Sequence, residues 1–222
     1  FEDFKNYSTE NLMHLYHKMP PETRKRAVLW YDGANNLANV FSEEYKIPVE
    51  ASAAVLAALS PQMDWFKNVA LAERVIDTTL KHSHMPFTDD MYRMAEDIFI
   101  NDPDKSAKSK KENRWIMDHI RGKSLDDLSV PPTNLHKGVN HNRIRGMWLR
   151  MMDEAYRPDK SYRYVSPEGS FLHVSPKKLG WGSNDDIGKA IAVLFDPSIE
   201  NISAQMGQAH KVRNFYNNIA DP

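Results

Sequence analysis

Residues 207–222, GQAHKVRNFYNNIADP, are the stretch on which the reading of the fold turns. They open with a tight Gly-x-Ala turn, pass through Lys211 and continue as an amphipathic helix. A turn of this kind directs backbone N–H groups outward at a helix N-terminus, where an anion such as a DNA phosphate can sit. Lys211 and Arg213 follow at once, and no acid appears from Gly207 to Ala220. Gly207, Gln208, Ala209 and Arg213 are therefore candidate contacts to a phosphate backbone.

Upstream of that turn the chain reads as a succession of helices. Pro20–Pro21 separates a first helix, capped by Ser8, from a second that runs to about Lys46. Pro48 opens an Ala- and Leu-rich third helix over 49–59, and Asp64 caps a fourth through about Leu80. Helices over 87–100, 105–121 and 138–157 come next, with Thr88 and Ser106 as caps of the first two. Residues 161–174, SYRYVSPEGSFLHV, change character: aromatic and β-branched residues flank Pro167-Glu168-Gly169, a β-hairpin signal. Ser183-Asn184-Asp185-Asp186 then matches a capping box ahead of Ile187, Ile191, Leu194 and Phe195. The expected class is mainly α: one mostly helical domain over 1–222 with a small β-hairpin insertion at 158–180.

Composition narrows the function. With 41% apolar and 10% aromatic residues the chain can build a folded core. Zero cysteines exclude disulfides and thiolate zinc sites and accord with a cytoplasmic setting. No apolar run is long enough to span a membrane, and no secretory signal opens the chain. No phosphate-binding P-loop, Gly-x-Ser-x-Gly elbow or dinucleotide fingerprint is present, so no cofactor is implied. His82-x-His84 and His136…His141 lack carboxylate partners at ligand spacing, so no metal site is expected. The net charge is −1, but Lys105–Arg150 holds eleven Lys/Arg against four Asp/Glu, a local net of +7. Within it the acid-free stretch 134–150 carries His136, Lys137, Arg143, Arg145 and Arg150, of which Lys137, Arg143 and Arg145 are candidates for tracking a phosphate backbone, against the plainer reading of a solvated basic face.

Two separated segments resemble the helix-hairpin-helix DNA glycosylase superfamily, the endonuclease-III-like fold. The first, residues 53–76, is AAVLAALSPQMDWFKNVALAERVI. It is similar to the family's buried helix ending in Leu-Ser-x-Gln, followed by a polar turn and an Asn/Ala-bearing helix, with a one-residue difference in the turn. The second, Met206 to Ile219, aligns without gaps to the Leu-Pro-Gly-x-Gly-x-Lys hairpin and the helix after it. The two cover about a sixth of the chain. Met206 stands where the family has proline and Ala209 where it has the second glycine, which makes a positive φ costlier in the turn. The LSPQ and KVRxFYxNI blocks also resemble bacteriophage proteins.

The resemblance implies a helix-hairpin-helix glycosylase-like helical bundle acting on DNA. It implies Lys211 as the Schiff-base nucleophile of a glycosylase/lyase-like or base-modifying enzyme, and Gln62 as the side chain entering the DNA stack beside an extruded base. Trp65 next to Gln62 has the chemistry to stack on an unpaired base, against the alternative of stapling a helix start to the core. The family's essential aspartate falls some twenty residues beyond the hairpin, so the enzyme reading expects such a segment after residue 222. It also implies host-cell cytoplasm as the setting and a protein partner in a phage assembly. A non-catalytic DNA-binding module and a structural virion or interaction protein remain the alternatives.

Overall fold

The computed structural model describes residues 38–59, 65–156, 162–165, 171–174 and 181–196, with the isolated positions 21, 198 and 201; residues 65–69 and the two short strands are described by their backbone. The described part is mainly helical. Residues 38–45 are helical, and then come α1 (Val49–Ala58), α2 (Trp65–His82), α3 (Asp89–Phe99), α4 (Ala107–Ile120), α5 (His141–Tyr156) and α6 (Asn184–Phe195). Between α5 and α6, strands β1 (Tyr162–Val165) and β2 (Phe171–Val174) pair antiparallel, with Tyr162 opposite Val174 and Val165 opposite Phe171. The remainder of the 158–180 span lies outside the described residues.

Local chemistry sets the helix boundaries. Pro48 occupies the N-cap of α1, whose Ala51, Ser52, Ala54, Val55, Leu56 and Ala58 are all buried. Thr88 Oγ1 accepts from Met91 N at 3.3 Å, and Asp89 and Asp90 in the first turn complement the helix dipole. Ser106 Oγ accepts from Ser109 N at 3.1 Å and starts α4; Ser183 Oγ accepts from Asp185 N at 3.1 Å and starts α6. The helix placed at 138–157 by sequence begins later. Gly138 sits at φ +88°, in the left-handed region, and Asn140 Oδ1 accepts from Arg143 N at 2.7 Å as the cap of α5. At the end of α4, Gly122 at φ +73° follows the C-cap Arg121.

One core cluster runs through the described helices, with Ile116, Met117, Met147, Trp148 and Ile191 fully buried. Lys123 O binds it together, accepting from Phe87 N at 2.9 Å and from Trp148 Nε1 at 3.0 Å. Helix α6 packs against α5 most extensively, and also against α1 and α2. The α5–α6 crossing is made by glycines. A Cβ on Gly146 would overlap the backbone of Asn184, and one on Gly188 would overlap the backbone of Asn142. The pairing 146 with 184 and 142 with 188 means that the two helices run antiparallel in backbone contact.

Neither glycine can acquire a side chain without separating the helices. Gly146→Ala and Gly188→Ala are each expected to destabilise the protein by about 1–3 kcal/mol or more. A urea-unfolding midpoint indistinguishable from the parent in either variant would show that the helices do not touch there.

Candidate functional site

The close crossing brings the first turn of α6 against the flank of α5, and α4 closes the third side. Three stretches thereby line an open cleft of about 290 Å³. The first is one face of α4 and its lead-in, Lys105, Ser109 and Asn113, spaced four apart. Arg143 and Arg150, two turns apart on α5, form the second. The third is Trp181 to Asp185, which leads into α6, and Phe99 from the end of α3 completes the lining.

The two arginines of the wall have different environments. Arg143 is engaged internally: its guanidinium donates to Glu112 Oε2 at 2.6 Å, Asn113 Oδ1 at 2.8 Å and Gly138 O at 3.2 Å. Glu112 is buried, and this hydrogen bond holds its carboxyl below the usual range against the opposing effect of burial. Arg150 is held differently. Its guanidinium lies 5.0 Å from the centroid of Phe99 and 5.9 Å from that of Trp181. Its Nε is fully buried without a hydrogen-bond partner, and no carboxylate forms an ion pair with it among the described residues. Burial pushes its pKa down, with Glu154 one turn along acting in the opposite sense and Arg74 adding to the depression.

Trp181 is fixed from behind. Arg74 stacks on its ring at 4.3 Å and pairs with Asp153 at 2.7 Å, both side chains being buried. Thr78 Oγ1 donates to the same carboxylate at 3.3 Å, and Trp181 Nε1 donates to Glu154 Oε1 at 3.3 Å. The acid in the cleft wall, Asp185, is held by Lys189 at 2.8 Å, so Asp185 and Asp186 serve the first turn of α6.

The same end of α4 is densely cationic, in the cleft and beside it. Lys105, Lys108, Lys110 and Lys111 fall in seven residues, and the first turn holds no acid. Cations at a helix N-terminus oppose the dipole by about 0.3–1 kcal/mol each. The nearest acid in the helix, Glu112, lies 3.9 Å from Lys108 and 2.6 Å from Arg143. Lys108 and Lys111 are exposed, as is Lys137 in the turn that lies over Glu112.

The sequence-derived candidates fall into three groups. Lys137 is exposed as a phosphate contact requires. Arg143 is committed to Glu112 and Asn113, and Arg145 is buried, donating to Asn142 Oδ1 at 2.8 Å; these two do not form one outward stripe with Lys137. Trp65 begins α2 by its backbone, while Gln62, Gly207, Gln208, Ala209, Lys211 and Arg213 lie outside the described residues. The α4 lysines belong to the +7 segment but were not singled out individually, whereas Arg150 stands with Lys137, Arg143 and Arg145 among the basic residues noted over 134–150. The signal for the former was available: four lysines directly around a Ser cap.

On the next face of α4, Trp115 stacks on His119 with centroids 5.2 Å apart and tilts against His136 at 6.1 Å. Burial, and secondarily Lys123, lowers the pKa of His119. His141 is lowered to about 4 by burial, then by Arg145 and His119, with the backbone of Leu128 and Ser129 pulling weakly the other way. No cluster of three or more metal-ligating side chains occurs among the described residues.

Fold and cleft together define a mainly helical protein with a cationic cleft at the meeting of three helices. Residues 3–122 match the model of a family described as "Family of unknown function (DUF7178)", more than half of the chain, and the protein belongs to this family. No curated protein and no solved structure matches the chain. The family match contains the lysine-rich end of α4 and stops at Gly122, before α5 and α6.

The lowered pKa of His141 makes stability depend on pH. The unfolded chain takes up this proton near pH 6.5 and the folded protein only near 4, so stability is lost as pH falls through that interval. His119 contributes in the same sense. The urea midpoint is expected to drop from pH 6.5 downward, and to drop less steeply in His141→Gln. Equal slopes in the two proteins would remove His141 as a source.

Proposed function

We propose that the protein binds DNA through its sugar–phosphate backbone, on a scaffold of the helix-hairpin-helix glycosylase kind with a β-hairpin insertion. The observation that carries this reading is the lysine-rich amino-terminal end of α4. Lys108, Lys110 and Lys111 are disfavoured by the positive helix dipole at this end and find no acid in the first turn; Lys108 has Glu112 one turn along at 3.9 Å, a carboxylate already held by Arg143. A polyanion laid across that end removes the repulsion and releases its own counterions. Lys137 extends the same surface, since its turn rests against Glu112 one helical turn beyond Lys108.

The glycosylase reading adds specific chemistry and rests on the two sequence blocks. In it the 207–209 turn anchors a phosphate, Gln62 enters the stack, and Lys211 is the nucleophile. Its amine would attack C1′ of an abasic sugar, lose water and leave an imine that borohydride reduces to a stable adduct. Such an adduct, absent in Lys211→Ala, separates an enzyme from a binding module. A phage setting and a protein partner in an assembly belong to the same resemblance.

Backbone binding has a direct readout in fluorescence anisotropy with a labelled duplex over a salt series. The slope of log K against log salt is expected to shrink by about 0.9 for each lysine contact removed, hence by about 2–3 in a Lys108→Gln/Lys110→Gln/Lys111→Gln variant. No salt-dependent affinity in the parent protein, or an unchanged slope in the variant, contradicts the proposal.

A further inference from the structure

Arg150 poses a separate question from the surface lysines. A guanidinium taken largely out of water is ordinarily matched by a carboxylate, because desolvation of an unpaired ion is costly. Here Phe99 and Trp181 fix its position, its Nε is buried without a partner, and no acid pairs with it among the described residues. Trp181 is in turn held by the buried Arg74–Asp153 pair, so the arrangement is built rather than incidental. Lys105 supplies a second cation to the same cleft and also pairs with Asp102 at 3.3 Å. Ser109 brings a hydroxyl, and the acid of the wall, Asp185, is paired at 2.8 Å with Lys189, which also faces Asp186 at 3.5 Å.

We propose that this cleft binds a phosphate monoester, with the Arg150 guanidinium and the Lys105 ammonium as its counter-charges. The planar fork of an arginine matches phosphate oxygens in a way a lysine cannot, and a monoester carries nearly two charges where an internal phosphodiester carries one. Size argues the same way. At about 290 Å³ the cleft lies at the lower limit of small-molecule sites, typically about 300–1,000 Å³. It accommodates a phosphoryl group and the sugar that bears it rather than a run of nucleotides. The ligand is then a phosphorylated strand end or a free mononucleotide, and the second of these does not depend on the DNA-binding reading.

Isothermal titration of the full chain with inorganic phosphate, AMP and adenosine tests this. Phosphate and AMP are expected to bind and adenosine not to. Arg150→Met is expected to weaken AMP by about tenfold or more, and Arg150→Lys, which keeps the charge but loses the fork, by less. Because Arg150 is also packed against two rings, Lys105→Gln provides a variant at the cleft edge, expected to weaken AMP without changing the unfolding midpoint. Displacement of AMP by a 5′-phosphorylated oligonucleotide but not by its 5′-hydroxyl counterpart assigns the strand end. AMP binding without that difference assigns the free nucleotide, and both support the site. Absence of phosphate and AMP binding, equal binding of adenosine, or undiminished AMP affinity in Arg150→Met and Lys105→Gln overturns it. Affinity for a 5′-hydroxyl duplex through the α4 lysines is expected to persist in Arg150→Lys, so the two readings fail separately.

Discussion

Backbone contact between α5 and α6 is the constraint on which the described structure depends. Two glycines inside helices, Gly146 and Gly188, are each disfavoured by about 1 kcal/mol relative to alanine by intrinsic propensity. Each nonetheless stands where any larger residue would meet the partner helix's backbone. The crossing sets the first turn of α6 beside α5 and brings Trp181 over Arg74 and within reach of Arg150. With the helices further apart the cleft would lose a wall, and the buried Arg74–Asp153 pair would lose its aromatic cover.

Positive charge is divided between two tasks within a short stretch of chain. Arg74 and Arg143 are matched by buried carboxylates, Asp153 and Glu112, and tie helices together. Such pairs add little net stability over an apolar equivalent, but they fix the geometry of whatever stands on them. Among the described residues Arg150 forms no ion pair, and Lys105 and Lys108 reach only Asp102 at 3.3 Å and Glu112 at 3.9 Å. The family match ends at Gly122 and therefore includes α4 but neither α5 nor α6, so the cleft is built from both sides of that boundary.

Much of the helical framework was legible because caps are local chemistry. Thr88, Ser106 and Ser183 each accept the backbone hydrogen bond that their sequence context implies, and Pro48 opens α1 as its φ restriction suggests. The start of α5 lies later than periodicity suggests because hydrophobic periodicity does not reveal that Gly138 adopts a positive φ against Glu112. What escaped the sequence was long-range pairing. Nothing local distinguishes Arg143, bound to residues thirty positions away, from Arg150, which meets two rings from other segments. A count of charge over 105–150 finds the basic segment but cannot say which of its cations face outward. The glycosylase blocks were read by resemblance, and their turn at 207–209 lies outside the described residues.

The central claim is that the amino-terminal end of α4 and the cleft beside it form one anion-binding surface. Backbone and arginine side-chain chemical shifts, followed by NMR while a 5′-phosphorylated duplex is added, test it most directly. The expected result is a set of perturbations at Lys108–Lys111, Ser183, Asn184 and the Arg150 Nε–H, diminishing as salt is raised. Perturbations confined to other helices, with these resonances unmoved at saturation, would contradict it.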